Sequence, residues 1–202
     1  MLICGAGGHA KVIFDILNSQ GVEVQAFVGK NESISEFMGI PVEANYDPAK
    51  YPESSLIIGT GDNQLRKKIA LEVTHEISTV IEESASVSKH AHIGSGTVIF
   101  HQSVVQAGTR LGNHVIINSS ASVDHDCVLE DFVHVSPNAT LCGGVTVGEG
   151  TLVGAGAVII PNTKIGKWSV IGAGAVVVED IPDHCVVMGN PAKVVKNTGP
   201  DE

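Results

Sequence analysis

Aromatic and basic residues are scarce in this 202-residue chain. Phe, Trp and Tyr make up 4% of it, and 12 Lys and Arg stand against 22 Asp and Glu, a formal net charge of −10. With no basic stripe and no basic patch interleaved with aromatics, neither nucleic acid nor an anionic membrane is expected as a partner. Long apolar runs are missing too. No stretch approaches the roughly 18 uninterrupted apolar residues that a spanning helix needs, and the start, MLICGAGGHAKV, has no charged n-region ahead of an extended apolar core. No membrane insertion is expected, and the expected compartment is the cytoplasm. The four cysteines, Cys4, Cys127, Cys142 and Cys185, form no CxxC pair. They read as free thiols in a reducing cytosol, two of them in or beside tight corners of the repeat described next.

What the chain does have is a period of six. From Val87 through Ile93, Ile99 and Val105 to Ile171 and Val177, every sixth residue is aliphatic, sixteen positions without an exception. Four places after each comes a small or β-branched residue, such as Thr97, Ser103, Thr109, Val115 and Ala121. Six matches neither the 3.6 of a helix nor the 2 of an ordinary strand. It is the hexapeptide repeat of a parallel β-helix. Each hexad makes one side of a triangular prism, its aliphatic residue inward and its small residue at the corner, and three hexads complete a coil, so Val123 is expected to rest on Val105. The fold class is therefore a small α/β, Rossmann-like N-terminal domain followed by a parallel β-helix. The domains are placed at residues 1–76 and 77–196, with 197–202 as a polar tail.

In the N-terminal part, Met1 to Cys4 reads as a strand and Gly5-Ala6-Gly7-Gly8-His9-Ala10 as a glycine turn. The turn opens a helix in which Val12, Ile13, Ile16 and Leu17 recur at helical spacing. The pattern G-x-G-x-x-A lets the backbone pass close to a phosphate and aims helix N-terminal amides at it. A second strand, Val24 to Val28, runs into Gly29-Lys30-Asn31 and lacks the acid that a dinucleotide's ribose would want there. A third, Ser54 to Ile58, ends in Gly59-Thr60-Gly61-Asp62-Asn63 before a helix from Gln64 to about Val73. Parallel α/β units bind ligands at the carboxyl ends of their strands. Gly7 to His9 and Gly61 to Asn63 are thus expected to line one pocket, with Lys30 a candidate for meeting a phosphate. From these residues alone a nucleotide, a nucleotide sugar and no ligand at all stay open.

A rod filled with aliphatic side chains holds chemistry only on its outward positions. His125, in Val123-Asp124-His125-Asp126-Cys127, stands two places past an inward residue with a carboxylate on either side. A nearby carboxylate raises an imidazole's pKa and fixes its tautomer. His134 faces outward on another side of the prism, so the two histidines meet most easily when neighbouring subunits pack side by side. Metal-binding β-helices carry histidines five apart; no successive pair here has that spacing, and no metal is expected.

The string from Asn118 through Ser122-Val123-Asp124-His125-Asp126-Cys127, then His134-Val135-Ser136, the N-terminal Gly5-x-Gly7-Gly8-His9 and the Gly189-Asn190-Pro191-Ala192-Lys193 ending together resemble the bacterial sugar O- and N-acetyltransferases that include the PglD and NeuD proteins. The resemblance implies a left-handed β-helix, acetyl-CoA as co-substrate, and a homotrimer with its sites between subunits. It implies His125 as general base with Asp126 increasing its basicity, and acetyl-CoA contacts at His134, Gly143, Ala155 and Ala173. Nucleotide-sugar contacts are implied at Gly7, Gly8, His9 and Gly61. The chain departs from the family twice: Asp126 stands where the bacillosamine-pathway enzyme has Glu, and Gly29 and Lys30 stand where it has paired aspartates.

The expected reaction is acetyl transfer from acetyl-CoA to the amino group of a nucleotide-linked 4-amino-4,6-dideoxy sugar, UDP being the nucleotide the resemblance implies. O-acetylation of a sialic acid or related sugar hydroxyl would use the same base. From another class comes a non-enzymatic scaffold or sensor in polysaccharide assembly, against which the adjacent His125 and Asp126 argue.

Overall fold

Three fully buried tripeptides make the centre of the first sheet in the computed structural model, which describes residues 1–29 and 34–199. In chain order the elements are β1 (Leu2–Cys4), α1 (Gly8–Ser19), β2 (Ala26–Val28), β3 (Glu36–Phe37), β4 (Ile40–Glu43), β5 (Leu56–Ile58) and α2 (Asn63–Glu72). The sheet order is β3-β4-β2-β1-β5. β1 pairs in parallel with β2 and β5, and β4 in parallel with β2. β3 folds back antiparallel on β4 through Met38 and Gly39, both at positive φ (55° and 79°), the twist that a two-residue hairpin prefers.

Side chains alternate along a strand, so Leu2 and Cys4 face one way and Ile3 the other. Leu2, Cys4, Val28 and Ile58 pack with Ile69 and Val73, the side that α2 covers. On the opposite side Phe27 meets Phe14 of α1, ring centroids 5.7 Å apart. Helix α1 buries Ala10, Ile13, Ile16 and Leu17, with Val12 only half-buried. Both glycine turns thus leave the same edge of a sheet clothed on both faces. Residues 76–78 still belong to this unit because Leu56 donates to the Glu76 carbonyl and accepts from the Ser78 amide, both at 2.9 Å. The chain divides into two units, Met1–Val80 and Ile81–Glu202.

In the second unit every hexad supplies a two-residue strand whose second residue points inward. Val105 registers with Val123, and Val123 with Leu141, each in parallel and eighteen residues on. Three sheets result. One side of the prism carries Ser122–Val123 and its stacked equivalents, the next Val128–Leu129, the third His134–Val135. Of the aliphatic ladder, Ile99 to Val177 are each at most 2% exposed, while Val87 and Ile93, at the first coil, are half-buried.

Each corner has two requirements. The residue three past the inward one lies in the left-handed region, for example Ser120 (φ 58°), Asp126 (59°) and Asn138 (58°). The residue after it is buried, and where it is polar the hydroxyl is satisfied. Thr109 Oγ1 donates to the Asp124 carbonyl at 2.7 Å and accepts from the Cys127 amide at 3.2 Å, so a polar group at the corner carries no desolvation penalty. The third side ends in a parallel strand, Cys185–Met188, on which Lys193–Asn197 lies antiparallel. Asn197 and Thr198, placed in the tail by sequence, belong to this closure: Thr198 donates to the His184 carbonyl at 2.6 Å.

Candidate active site

His125 stands at the corner between the Val123 and Leu129 sides. Its Nδ1 lies 2.9 Å from Asp126 Oδ2. A carboxylate only accepts, so Nδ1 carries the proton and Nε2 holds the free lone pair. Asp124 Oδ1 accepts the His125 backbone N–H at 2.8 Å, tying down the corner. The hydrogen bond to Asp126, followed by the charge of Asp124, holds the imidazole above its ordinary pKa. The two side chains are 62% and 72% exposed, within reach of a substrate. Asp126 reaches the ring directly, and aspartate tolerates the left-handed backbone found at 126.

Glycines above and below make room for this pair. A Cβ on Gly143, one coil on, would lie 2.6 Å from His125 Cε1 and Nε2. A Cβ on Gly108, one coil back, would overlap Asp126 Oδ1. Among the described residues no acceptor takes the Gly143 N–H. Asp124, His125, Asp126, Cys142, Gly143 and Asn162 surround a depression of about 340 Å³. The neighbouring Cys127 thiol donates to the Cys142 carbonyl at 3.2 Å, and burial pushes its pKa up to about 11, so it is no nucleophile.

The first unit holds a cavity of about 510 Å³, lined by Gly7, Gly8, His9 and Gly61 among others. The two helix N-termini beside it differ. Asp62 caps α2, accepting from the Leu65 amide at 2.7 Å. α1 begins after Gly7, which has no side chain to offer, and has no acid in its first turn. No side chain caps it, and a helix N-terminus of that kind suits an anion. A Cβ on Gly7 or Gly8 would meet nothing within 4 Å and neither φ is positive, so the protein's own packing does not demand glycine there. The second turn is pinned by buried Arg66, which donates to the Thr60 carbonyl at 3.2 Å and Asn63 Oδ1 at 2.7 Å. Burial lowers its pKa to about 10, which leaves the guanidinium charged at neutral pH.

The remaining candidates lie elsewhere. His134 is on the third side, half-buried, its Nε2 accepting from Asn118 Nδ2 at 3.1 Å. Ala155 and Ala173 stack one coil apart at the corner between the His134 and Val123 sides. Lys30 lies outside the described residues. Among those residues no three His, Cys, Asp or Glu side chains gather to hold a metal, and no helix is long and apolar enough to cross a membrane.

Residues 1–73 match the PglD N-terminal domain, and residues 126–161 and 144–178 match the six-repeat bacterial transferase hexapeptide. One similar solved structure is a histidine-to-asparagine mutant of perosamine N-acetyltransferase from Caulobacter crescentus, in complex with CoA and GDP-perosamine. It is 35% identical at a TM-score of 0.92, covering 97% of this chain and 96% of that one. The chain belongs to the PglD-type sugar N-acetyltransferases. The acetyltransferase domain of PglB from Neisseria gonorrhoeae, in complex with acetyl coenzyme A, is 36% identical at a TM-score of 0.90, covering 96% and 98%. The UDP-N-acetylbacillosamine N-acetyltransferase of Bacillus subtilis is 38% identical over 109 residues, 48% of this chain and 49% of that one. This chain spans about half the length of that relative, and its match to an uncharacterized protein of Acanthamoeba polyphaga mimivirus spans 24% of the latter.

As in its PglD-type relatives, the solenoid is the left-handed β-helix of the hexapeptide-repeat transferases. Within one chain His125, Asp126 and Gly143 come together, and so do Gly7, Gly8, His9 and Gly61. His134, Ala155 and Ala173 join neither group. Sequence reasoning missed Asn162, although it stands two coils beyond Asp126 and the period alone would have found it. It also missed Tyr46, Lys68 and Glu72 of the cavity, which belong to no motif.

Proposed function

We propose that the protein transfers acetyl from acetyl-CoA to the amino group of a nucleotide-linked 4-amino-4,6-dideoxy sugar, with His125 as general base. The observation that carries this reading is the imidazole held by Asp126 on one side and seated over Gly143 on the other. As the amine nitrogen attacks the thioester carbonyl, Nε2 takes its proton; the C–S bond then breaks and the imidazolium returns that proton to the departing sulfur, so CoA leaves as the thiol. Asp126 stabilises the imidazolium that forms. The Gly143 amide, without an acceptor of its own, suits the carbonyl oxygen as negative charge develops on it. General-base help of this kind is worth about 10²–10⁴ in rate.

The first unit's cavity supplies the nucleotide's place. Its uncapped helix takes the pyrophosphate at Gly7, Gly8 and His9, facing Gly61 across the cavity. The relatives described above include a perosamine N-acetyltransferase holding GDP-perosamine and an enzyme named for UDP-N-acetylbacillosamine, so N-acetyl transfer is common to them while the nucleotide differs. His134, Ala155 and Ala173 carry the acetyl-CoA arm in this reading. Since they lie on other sides of one prism than His125, a homotrimer whose neighbouring solenoids share each site brings both sets to one coenzyme.

Release of free thiol from acetyl-CoA, followed with a 4-amino-4,6-dideoxy nucleotide sugar, its 4-hydroxy counterpart and no acceptor, tests the reaction. Turnover with the amine alone is expected. Equal turnover with the hydroxyl compound, or none with any nucleotide amino sugar, would overturn it.

A further inference from the structure

The cavity of the first unit contains groups that the phosphate cradle does not use. Its wall also includes Tyr46, just after β4, and Lys68 and Glu72 on successive turns of α2. Among the described residues of the lining Tyr46 is the only aromatic carbocycle, and its ring is fixed by its hydroxyl. The Thr74 and His75 amides donate to that oxygen at 3.0 and 3.2 Å. His75 Nε2 lies 2.9 Å from the Tyr51 carbonyl, so it carries the proton, and the Tyr46 hydroxyl donates to His75 Nδ1 at 2.6 Å. A half-buried ring so anchored is a preorganised flat surface. Lys68 and Glu72 are exposed, and among the described residues neither side chain makes a hydrogen bond or ion pair. The Glu72 charge is nevertheless felt at the cavity floor, where it adds to burial in pushing the Cys4 thiol up to about 11.

We infer that this wall reads the nucleobase and that the base is guanine, with Tyr46 as stacking platform, Glu72 accepting N1–H and N2–H, and Lys68 donating to O6. This rests on the nucleotide-sugar reading above and deepens it. Guanine's edge presents an acceptor followed by two adjacent donors, which matches an ammonium beside a carboxylate with both oxygens engaged. Uracil and thymine flank their single N–H with carbonyls, so the second carboxylate oxygen would face a second oxygen. Adenine sets a lone pair beside its amino group and fails in the same way. The UDP implied by family resemblance finds no such match here.

The test is direct binding, by calorimetry, of GDP, UDP, dTDP and ADP to the full chain, to Glu72→Gln and to Tyr46→Leu. Wild type should bind GDP about tenfold or more tighter than the others, the discrimination expected of one bidentate base contact. Glu72→Gln, a change on an exposed helix position, should lose that preference while keeping its affinity for UDP. Tyr46→Leu should weaken all four nucleotides together. If UDP or dTDP binds wild type as tightly as GDP, or if Glu72→Gln leaves the preference intact, the guanine assignment is wrong although the cavity still takes nucleotides. If none of the four binds, the nucleotide reading itself is wrong.

Discussion

Replacing Gly143 by alanine separates the position of the base from everything else in the site. The new Cβ would lie 2.6 Å from His125 Cε1 and Nε2, whereas non-bonded carbons rest at about 3.5–4.0 Å, so the ring must retreat by about 1 Å. The imidazole is exposed and can give way toward solvent, and the Gly143 backbone is not in the left-handed region, so alanine is tolerated there. Stability should hold, or rise by about 0.4–1 kcal/mol through the less flexible unfolded chain. The alanine amide remains available to the thioester carbonyl. A displacement of about 1 Å in a catalytic group reduces turnover by about 10²-fold, and that is the expected fall in kcat. Thermal melting and thiol release from acetyl-CoA measure the two quantities on one sample. Wild-type kcat in Gly143→Ala would refute the seating of the base over that backbone, and a melting point lowered in proportion to the lost activity would make the effect one of folding.

Gly108→Ala, by contrast, should lose both stability and activity. Its φ of +77° disfavours any side chain by about 1–2 kcal/mol, and the Cβ would dislodge Asp126. Asp126→Asn removes the largest cause of the raised His125 pKa. Because the base must be neutral to accept a proton, activity in wild type falls as pH drops through that raised value. In the variant the acid limb of the pH–rate profile should move to lower pH and the plateau should drop, and an unmoved limb would contradict the pairing. Gly7→Ala and Gly8→Ala should melt like wild type yet bind nucleotide about tenfold or more weakly, because an added methyl meets only ligand space. Leu141→Ala, in the fully buried ladder, should destabilise the fold by about 2–5 kcal/mol in urea titration.

The rod was legible because burial enforces it from Ile99 to Val177: a polar residue at Val123 or Leu141 would sit in a sealed core, so the sixth-residue pattern there carries no noise. The corner geometry was half legible. Small residues such as Thr109 stood out, whereas the left-handed residue before them varies from Ser120 to Phe132, since a hydrogen-bond ladder and not side-chain type enforces its φ. His125, Asp126 and Gly143 were readable because the period fixes which residues stack. His134, Ala155 and Ala173 rested on resemblance, and one chain does not bring them to His125. The cavity wall was illegible. Tyr46 reaches it through bonds to Thr74 and His75, nearly thirty residues away, and Glu72 is one exposed glutamate among many until the helix packs.

The central claim is that one imidazole removes the acceptor's proton. Turnover of His125→Ala at saturating acetyl-CoA and nucleotide amino sugar, with and without added imidazole, tests it most directly. The account predicts a fall of about 10²–10⁴, unchanged nucleotide affinity and partial recovery with imidazole. Wild-type turnover in the variant would contradict it.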